Sequence, residues 1–331
     1  MISKLFHTLI LASLLSSCQG QDNTANRYAH ADPIVIHRFD KSLYQLIDVA
    51  DSSQLPALRQ EYAAMLSLLG KGLFNLQQTD GPELWNQLQR LYTEPTLKQL
   101  YQDALKHYES VDDIQQQLGC AFAFLQAELP EMQLPAVYMH VSGFNQNVLT
   151  ADSLLSISID KYMGMDYPLY QSFFYDYQRQ RMQRANIAPD YLTGWLMTEF
   201  PFSGKENVLL DRMIYEGKIR YVLSKALPEA NPATLLGYSE QGYAWVQAHE
   251  AKIWETIIKR KHLYTPEMMT TAHYFEEAPS TFLANDAPGN IGSWIGWRIV
   301  SAYMKETGAS LQTLLSNQDA QEILTLSKYK P

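Results

Sequence analysis

The sequence has little cysteine, no excess of positive charge and no high content of glycine or proline. Two cysteines among 331 residues are too few for a framework of disulfide bonds. The 16 glycines and 15 prolines exclude a collagen-like fibre, and a hydrophobic content of 46% excludes a disordered chain. Acidic residues outnumber basic ones by 35 to 26, so the clustered basic surface of a nucleic-acid-binding protein is not expected. The composition is that of an ordinary packed globular protein that binds no nucleic acid.

The N-terminus has the composition of a lipoprotein signal peptide. Lys4 supplies a positive charge, and the apolar stretch over residues 5–15 is shorter than the roughly 18 residues needed to cross a bilayer. It ends in a Leu-Ser-Ser-Cys sequence, the pattern of a bacterial lipobox, in which the cysteine is acylated before cleavage in front of it. We therefore predict a signal peptide over residues 1–17 and lipidation of Cys18, which holds the mature chain on a membrane. The alternative is an ordinary secretory signal that contains a cysteine.

After the lipid cysteine the chain divides into a tether and one domain. Residues 19–31 are polar and lack periodicity, so we predict that residues 18–31 form a lipidated flexible tether. Residues 32–331 contain no internal repeat and no linker long enough to mark a boundary, which predicts a single domain. With Cys18 acylated, Cys120 has no intramolecular partner, and its apolar neighbours predict a buried, inert thiol.

Hydrophobic periodicity predicts an α+β domain that is mainly helical with a small sheet. Strands are expected at 34–39, 136–141 and 154–160, and the last two, which flank a polar loop, are the best candidates for a hairpin. Residues 162–188 are aromatic, rich in loops around Pro168 and then helical. Apolar residues at spacings of three and four predict the helices, the first of them capped by Ser52 or Ser53 and ended by Gly70 and Gly72. The helices cover residues 53–70, 84–92, 96–107, 111–128, 207–223, 239–261 and 291–306.

His249 and Glu250 invite comparison with zinc peptidases. In that class a His-Glu-x-x-His helix places two imidazoles one turn apart, with the glutamate available as a base. Here Ile253 occupies the position of the second histidine. On its predicted helix His249 shares a face with Val246, Ile253 and Ile257, which favours a core or pocket-wall histidine over a metal ligand.

Glu216 and the glycine after it mark the helix predicted over residues 207–223. Arg212 and Arg220 each stand four residues from Glu216, which predicts a ladder of ion pairs worth about 0.2 to 0.5 kcal/mol per pair. Gly217 lies in the middle of the helix, where glycine costs about 1 kcal/mol relative to alanine. This glycine is therefore expected to mark the close approach of another element.

Two glycines four residues apart, Gly292 and Gly296, begin the helix predicted over 291–306. Charged flanks exclude a membrane dimerisation motif, and the lack of a Gly-Lys-Ser/Thr context excludes a phosphate loop, so tight helix packing against two tryptophan side chains is favoured. Separately, 21 tyrosines and six tryptophans allow an aromatic groove for a peptide or glycan. The tryptophans considered for it are Trp195, Trp245, Trp294 and Trp297.

A set of short motifs runs in order along nearly the whole mature chain. They are Cys18, Ile36–Asp40, Tyr138–Phe144, Ser158–Gly164, Tyr167–Pro168, Leu209–Lys218, Leu263–Tyr264, Ala278–Pro279, Ala287–Gly289 and Gly296–Val300. The ordered set resembles the family of the gliding-motility lipoprotein GldB. The resemblance implies an envelope lipoprotein that supports surface gliding and the protein-secretion machinery of gliding bacteria. It also implies envelope proteins as partners and the periplasmic side of the outer membrane as the location.

The same family looks distantly similar to predicted zinc peptidases of zincin type. In those peptidases a His-Glu-x-x-His helix precedes a helix that carries a Glu-Gly pair, and Glu216 with Gly217 matches the second helix. The preceding segment, residues 191–201, has no histidine, so a zinc with three protein ligands and an open position cannot be assembled there. The resemblance therefore implies a degenerate zincin-like scaffold that holds no metal or other cofactor.

These observations predict a lipid-anchored envelope protein that acts through protein contacts rather than catalysis. Its contact surface is expected to be the former cleft, between the strand at 156–160 and the helices that begin at Asn207 and Ser239. A metal-dependent hydrolase with a different ligand set stays open as an alternative, as does a lipoprotein that binds cell-wall glycan or peptide. The side chains assigned to the candidate cleft are His140, Asp211, Glu216, His249 and Glu250.

Overall fold

The computed structural model of the protein describes residues 28, 30–49 and 52–331. The predicted signal peptide and Cys18 lie outside these residues, so lipidation stays a prediction. Within the described part, helices surround one small sheet, which confirms a single, predominantly helical α+β domain. At its beginning Tyr28 packs edge-to-face on Phe124, with 5.9 Å between the ring centroids.

Four short strands form the sheet in the order β1-β2-β4-β3. β1 (Ile36–His37), β2 (Ala136–His140) and β4 (Leu154–Ser158) are parallel to one another, and β3 (Val148–Ala151) runs antiparallel to β4. Strands form at the three predicted places, but the predicted hairpin of 136–141 with 154–160 is wrong. β2 and β4 are adjacent and parallel, and the hairpin joins β3 to β4.

The strand pairing follows from β3, which lies in the segment predicted as a polar loop. The sequence of β3 is Val-Leu-Thr-Ala, and only Asp152 and Ser153 separate it from β4. A two-residue connection reverses the chain, so β3 pairs antiparallel with β4. β4 therefore points the same way as β2. All five residues of β4 are buried, as expected of a strand with parallel and antiparallel neighbours in a covered sheet.

Helices connect β1 to β2, and most of their predicted positions are confirmed. The third and fourth begin at prolines, whose fixed φ suits the first turn of a helix. Within the described residues these helices are α1 (Phe39–Val49), α2 (Leu55–Phe74), α3 (Pro82–Tyr92), α4 (Pro95–His107) and α5 (Asp112–Glu128).

The helix α2 does not end where its glycines predict. It passes through Gly70 and Gly72 and ends before Asn75, which adopts a left-handed conformation with φ of 55°. A Cβ on Gly70 would lie less than 3.0 Å from the side chain of Thr79, so this glycine serves packing rather than termination. The predicted serine cap is also wrong, because Gln54 occupies the N-cap position.

The chain after β4 is helical, as predicted for residues 207–223, 239–261 and 291–306. Short helices occupy the aromatic segment that precedes them. These elements are α6 (Tyr170–Phe173), α7 (Asp176–Arg179), α8 (Ile187–Glu199), α9 (Leu209–Ala226), α10 (Pro232–Leu236), α11 (Glu240–Lys259), α12 (Met268–His273), α13 (Ile291–Thr307), α14 (Leu311–Ser316) and α15 (Ala320–Ser327).

The helices α9 and α13 cross at two glycines. A Cβ on Gly217 would lie less than 3.0 Å from the backbone of Gly296, and a Cβ on Gly296 would meet the backbone of Met213. The two backbones therefore touch, and a larger residue at either position would push the helices apart. Gly292, one turn earlier, leaves room for the ring of Phe275. The close approach expected at Gly217 is confirmed. Tight packing at the glycine pair is confirmed as well, but its neighbours are the Met213 backbone and the Phe275 ring and not the expected tryptophan side chains.

Buried tyrosines tie the sheet to the surrounding helices. In five of them the hydroxyl donates a hydrogen bond to a backbone carbonyl oxygen, because a buried hydroxyl needs a partner. The bonds run from Tyr92 to Val141, from Tyr101 to Asp40, from Tyr108 to Tyr162, from Tyr170 to Asp160 and from Tyr191 to Tyr138. A large part of the tyrosine content thus belongs to the core rather than to a binding surface.

Candidate functional site

The carboxyl ends of the parallel strands meet at one edge of the sheet, a common place for ligand sites in folds with parallel strands. Asp160 follows β4 and is fully buried there. Its carboxylate accepts hydrogen bonds from the backbone N–H groups of Ser142, at 3.1 Å, and Phe144, at 2.7 Å, and from the hydroxyl of Ser158. Burial raises the pKa of Asp160, although these donors act to lower it.

The loop that Asp160 holds contains Phe144 in a left-handed conformation, with φ of 68°. This conformation is strained for a residue other than glycine, and such strain concentrates at functional sites. The ring of Phe144 packs against Tyr170, Phe173 and Phe174. Because the Phe173 side chain is 62% exposed, this aromatic cluster extends from the core to the surface.

A groove starts next to Phe174 and runs to the N-terminal end of α11. Its larger part has a volume of about 730 Å³ and its smaller part about 80 Å³, and Arg181 and Glu277 line both parts. We define the two parts together as the Arg181 groove. Further side chains of the smaller part are Lys161, Phe174 and Asp190, and further side chains of the larger part are Tyr175, Tyr177, Tyr238 and Trp245.

Aromatic rings are prominent in the larger part of the Arg181 groove. The rings of Tyr175 and Tyr177 stack with their centroids 5.8 Å apart, and Tyr175 is 73% exposed. On the other side, the hydroxyl of Tyr238 donates to the carbonyl oxygen of Asn290 at 2.9 Å, which fixes its ring. The indole N–H of Trp245 has no hydrogen-bond partner among the described residues. That N–H is buried, so the groove offers mainly aromatic surface.

Opposite charges surround Arg181. Its Nη1 lies 2.5 Å from Oε1 of Glu277. Burial lowers the pKa of the Arg181 guanidinium, but the charges of Asp190, Glu277 and Glu216 outweigh that effect and the pKa is raised. The guanidinium also packs over Gly237, where a Cβ would lie 3.1 Å from its Nε. Arg181 is therefore a fixed cation at the junction of the two parts of the groove.

Glu216 lies beside this cation, on α9. Oε2 of Glu216 is 3.7 Å from Nη2 of Arg220, which confirms one of the two predicted ion pairs. The predicted pair with Arg212 is wrong, since the guanidinium of Arg212 lies over the ring of Phe275, 4.3 Å from its centroid. Arg220 is buried and donates to the carbonyl oxygen of Leu235, and burial lowers its pKa. Glu216 therefore serves as the counter-charge of buried arginine.

His140 lies inside the sheet, away from the lining of the Arg181 groove. Its side chain is fully buried, and Nδ1 is 2.8 Å from the hydroxyl oxygen of Ser156 on the neighbouring strand. Burial lowers the pKa of His140 to about 3, so the ring is neutral near pH 7. Nε2 has no hydrogen-bond partner among the described residues.

His249 and Glu250 lie on α11 and point to different neighbours. The His249 ring stacks on Trp245, with 4.1 Å between the centroids, and therefore backs the Arg181 groove. Oε1 of Glu250 accepts hydrogen bonds from Nε of Arg298 and from the hydroxyl of Tyr329, both at 2.8 Å. Glu250 thus connects α11 to α13 and to the C-terminal end of the chain.

Asp211 lies at the start of α9, where its Oδ2 accepts a hydrogen bond from the backbone N–H of Lys205 at 2.8 Å. It lines a different cavity from the Arg181 groove. The five candidate side chains therefore do not meet at one point. Within the part of the chain that the structure describes, no group of three or more His, Cys, Asp or Glu side chains could hold a metal ion.

The prediction of a binding surface built from four tryptophans needs correction. Trp195 and Trp294, considered for a glycan surface, are 0% and 2% exposed and belong to the core. Trp245 alone of the four lines the Arg181 groove, while Trp297 is half-buried beside Trp294. The prediction that all four tryptophans line one binding groove is therefore wrong.

The prediction of a buried thiol at Cys120 also needs correction. Cys120 is half-buried, and its Sγ accepts a hydrogen bond from Nε2 of Gln116 at 3.3 Å. One side of the residue lines a surface cavity beside Tyr28. The thiol is thus only partly covered by the apolar residues around it in sequence.

Sequence reasoning missed Arg181 and Glu277, the pair at the centre of the groove. The two residues are 96 positions apart, so no local spacing connects them. Arg181 also lies in residues 162–188, for which the sequence predicted loops around Pro168 and then a helix with no assigned buried face. The only available signal was the large number of tyrosines around it, at positions 162–177.

The fold and the groove define a class: an α+β protein with an aromatic surface groove and, within the described residues, no cluster of metal ligands. The family model of the gliding motility protein GldB matches residues 21–331. The chain therefore belongs to the GldB family, and the predicted role of a gliding-motility lipoprotein is supported at that level. No curated protein and no solved structure matches the chain.

Two further predictions concern membrane anchoring and the likeness to zinc peptidases. No helix of the described residues is long and apolar enough to cross a membrane. Membership of a lipoprotein family supports anchoring at the envelope membrane. The likeness to zinc peptidases is not tested by any match and stays a prediction.

Proposed function

We propose that this protein supports gliding motility, and the protein-secretion machinery associated with it, by binding a segment of an envelope protein in the Arg181 groove. Lipid on Cys18 would hold the chain on the periplasmic side of the outer membrane. The role is that of a binding partner and not of an enzyme. The contact surface is the Arg181 groove, which shares only the start of the helix at Ser239 with the predicted cleft.

The composition of the groove is the observation that carries this proposal. Tyrosine, tryptophan and arginine are the residues that contribute most to protein–protein binding, and the groove has Tyr175, Tyr177, Trp245 and Arg181 along its length. Exposed rings lose little conformational entropy when a partner covers them, because each has only two side-chain torsions. A volume of about 730 Å³ accommodates a few side chains of a partner segment.

The charges of the groove favour a protein segment over an apolar ligand. Arg181 offers a guanidinium, and Glu277 offers a half-exposed carboxylate beside it. Backbone N–H groups of an extended segment can donate to the carboxylate, and its carbonyl groups can accept from the guanidinium. A catalytic reading has less support, because the candidate acids and bases are held by separate partners.

The proposal can be tested in gliding cells that carry the full-length lipoprotein as their only copy. We expect Tyr175→Ala combined with Trp245→Ala to abolish or strongly reduce surface spreading while the protein stays at its normal level in the membrane fraction. Tyr264→Ala is the matched control, since Tyr264 is 56% exposed and lies outside the groove. Normal spreading by the double variant would overturn the proposal.

A second measurement identifies the partner directly. A photo-crosslinking amino acid at position 175 should give a discrete adduct with an envelope protein in living cells, and the same amino acid at position 264 should not. Loss of that adduct in the Trp245→Ala background is the expected result. An adduct of equal intensity at both positions would contradict a specific groove.

A further inference from the structure

A second cavity, of about 410 Å³, shares no lining residue with the Arg181 groove. We define it as the Lys218 pocket. Helix α9 supplies one wall, the chain after α8 supplies another, and the end of α14 closes it. The side chains that matter below are Glu199, Phe200, Phe202, Asp211, Tyr215 and Lys218.

Among the described residues, Lys218 is the only positively charged side chain that lines this pocket, and it is only 8% exposed. Its ammonium group donates to the carbonyl oxygen of Asn317, at the C-terminal end of α14. That bond uses one of three N–H donors.

The charge of Lys218 is not balanced by a carboxylate. Burial accounts for the lowering of its pKa to about 8, and no acidic side chain of the described residues raises it back. A buried cation without a counter-ion is costly for folding, and such groups concentrate at binding and catalytic sites. The carbonyl of Asn317 supplies a partial charge only. The pocket is therefore built for an anion that the protein itself does not provide.

The acidic residues of the pocket do not cancel this preference. Asp211 and Glu199 are both half-buried and thus partly hydrated, whereas Lys218 is buried. Asp211 also precedes Lys218 by seven residues on one helix, which separates them by about 10 Å along the axis. Charge in water is screened more than charge in the interior, so the charge of Lys218 acts more strongly in the pocket than theirs.

The remaining lining is aromatic. Phe200, Phe202 and Tyr215 line the cavity, and the rings of Phe202 and Tyr215 lie 5.2 Å apart. Such rings favour an apolar or aromatic body next to the charged group.

From this arrangement we infer that the Lys218 pocket binds a carboxylate carried on an aromatic or apolar body, with the carboxylate paired to the Lys218 ammonium. Two sources share that chemistry: the C-terminal residue of a peptide, and a small free carboxylic acid. The site is separate from the Arg181 groove, so it can be tested without regard to motility.

The test uses the full-length lipoprotein in detergent micelles and three soluble probes. N-acetylphenylalanine represents a peptide terminus, 3-phenylpropionate represents a free acid, and N-acetylphenylalaninamide is the uncharged control. We expect at least one acid to bind about tenfold more tightly than the amide near pH 7, as measured by calorimetry. If N-acetylphenylalanine binds and 3-phenylpropionate does not, the natural ligand is a peptide terminus. If 3-phenylpropionate binds equally well, the natural ligand is a free acid. Failure of both acids to bind would overturn the inference.

Two variants test whether the acid binds in the Lys218 pocket. Lys218→Gln keeps an N–H donor for the Asn317 carbonyl and removes the charge, so it should fold and weaken acid binding at least about tenfold. Lys252→Gln is the matched control, because the side chain of Lys252 is 73% exposed and far from the pocket lining. Unchanged acid binding by folded Lys218→Gln would reject the assignment.

The wild-type protein gives an independent readout if Lys218→Gln fails to fold. Affinity for the acid should fall about tenfold between pH 7 and pH 9, since the bound form needs protonated Lys218, and affinity for the amide should not change. Asp211, Glu199 and Tyr215 are the other titratable groups of the pocket. Burial raises the pKa of Tyr215 to about 12, above this range. A flat profile for the acid would contradict the inference.

Discussion

The sheet edge at which the parallel strands end and the Arg181 groove contain the same residue types but use them for different purposes. At the sheet edge, tyrosine hydroxyls and the Asp160 carboxylate are buried and bonded to backbone groups. In the groove, Tyr175 and Glu277 are mostly exposed. Hydrogen bonds at the sheet edge fix the path of the chain, while the exposed groups of the groove can contact a partner. Residue type alone therefore does not separate a folding role from a binding role.

The first prediction, with the largest expected effect, removes a ring from the sheet edge. Tyr170 is fully buried and its hydroxyl bonds to the carbonyl of Asp160. Tyr170→Ala should lower the free energy of unfolding by about 3–5 kcal/mol, because it leaves a cavity and an unpaired carbonyl. Denaturant titration measures the change.

The matched substitution in the groove is Tyr175→Ala. The side chain is 73% exposed, so the change in stability should stay within about 0.5 kcal/mol. If the two alanine variants lost similar stability, the distinction between the two regions would fail.

The second prediction concerns acid. The pKa of His140 is about 3 in the folded protein, compared with 6.5 without burial, so the unfolded chain binds the additional proton between these values. Stability should therefore fall as the pH drops below 6.5, by up to about 1.4 kcal/mol per pH unit from this group. His140→Asn keeps a polar atom near the Ser156 hydroxyl. In this variant the free energy of unfolding should change less with pH between pH 6.5 and pH 5. Equal slopes in wild type and variant would contradict this account.

The third prediction concerns the ion pair of the groove. Glu277 pairs with Arg181, but its side chain is 56% exposed. Glu277→Gln should cost no more than about 1 kcal/mol of unfolding free energy, since water and salt screen an exposed pair. A loss of several kcal/mol on chemical unfolding would show that this pair holds the fold together, as the buried bonds of the sheet edge do.

The sequence predicted the helices well because their signal is local. Apolar residues at spacings of three and four fixed α3, α4, α5, α9, α11 and α13 to within a few residues. Gly217 and Gly296 also gave a reliable signal, since a helix tolerates a central glycine only where packing requires it. Family membership could be predicted from motifs spread along the chain in order.

The strand pairing and the groove could not be predicted in the same way. β3 has only four residues, too few to be recognised within the polar loop. Without β3 the direction of β4 could not be predicted. The contact of Arg181 with Glu277 joins segments 96 residues apart. Lys218 presents a different difficulty, because a lysine on a helix is normally solvated, and only the packing around α9 shows that this one is buried.

The glycine crossing of α9 and α13 has a mechanical consequence. Gly217 separates Glu216, which balances charge beside the Arg181 groove, from Lys218, which lines the other cavity. At the crossing the two helix backbones touch, with no side chain between them. Because closely packed backbones cannot be compressed, Glu216 and Lys218 keep nearly fixed positions relative to α13.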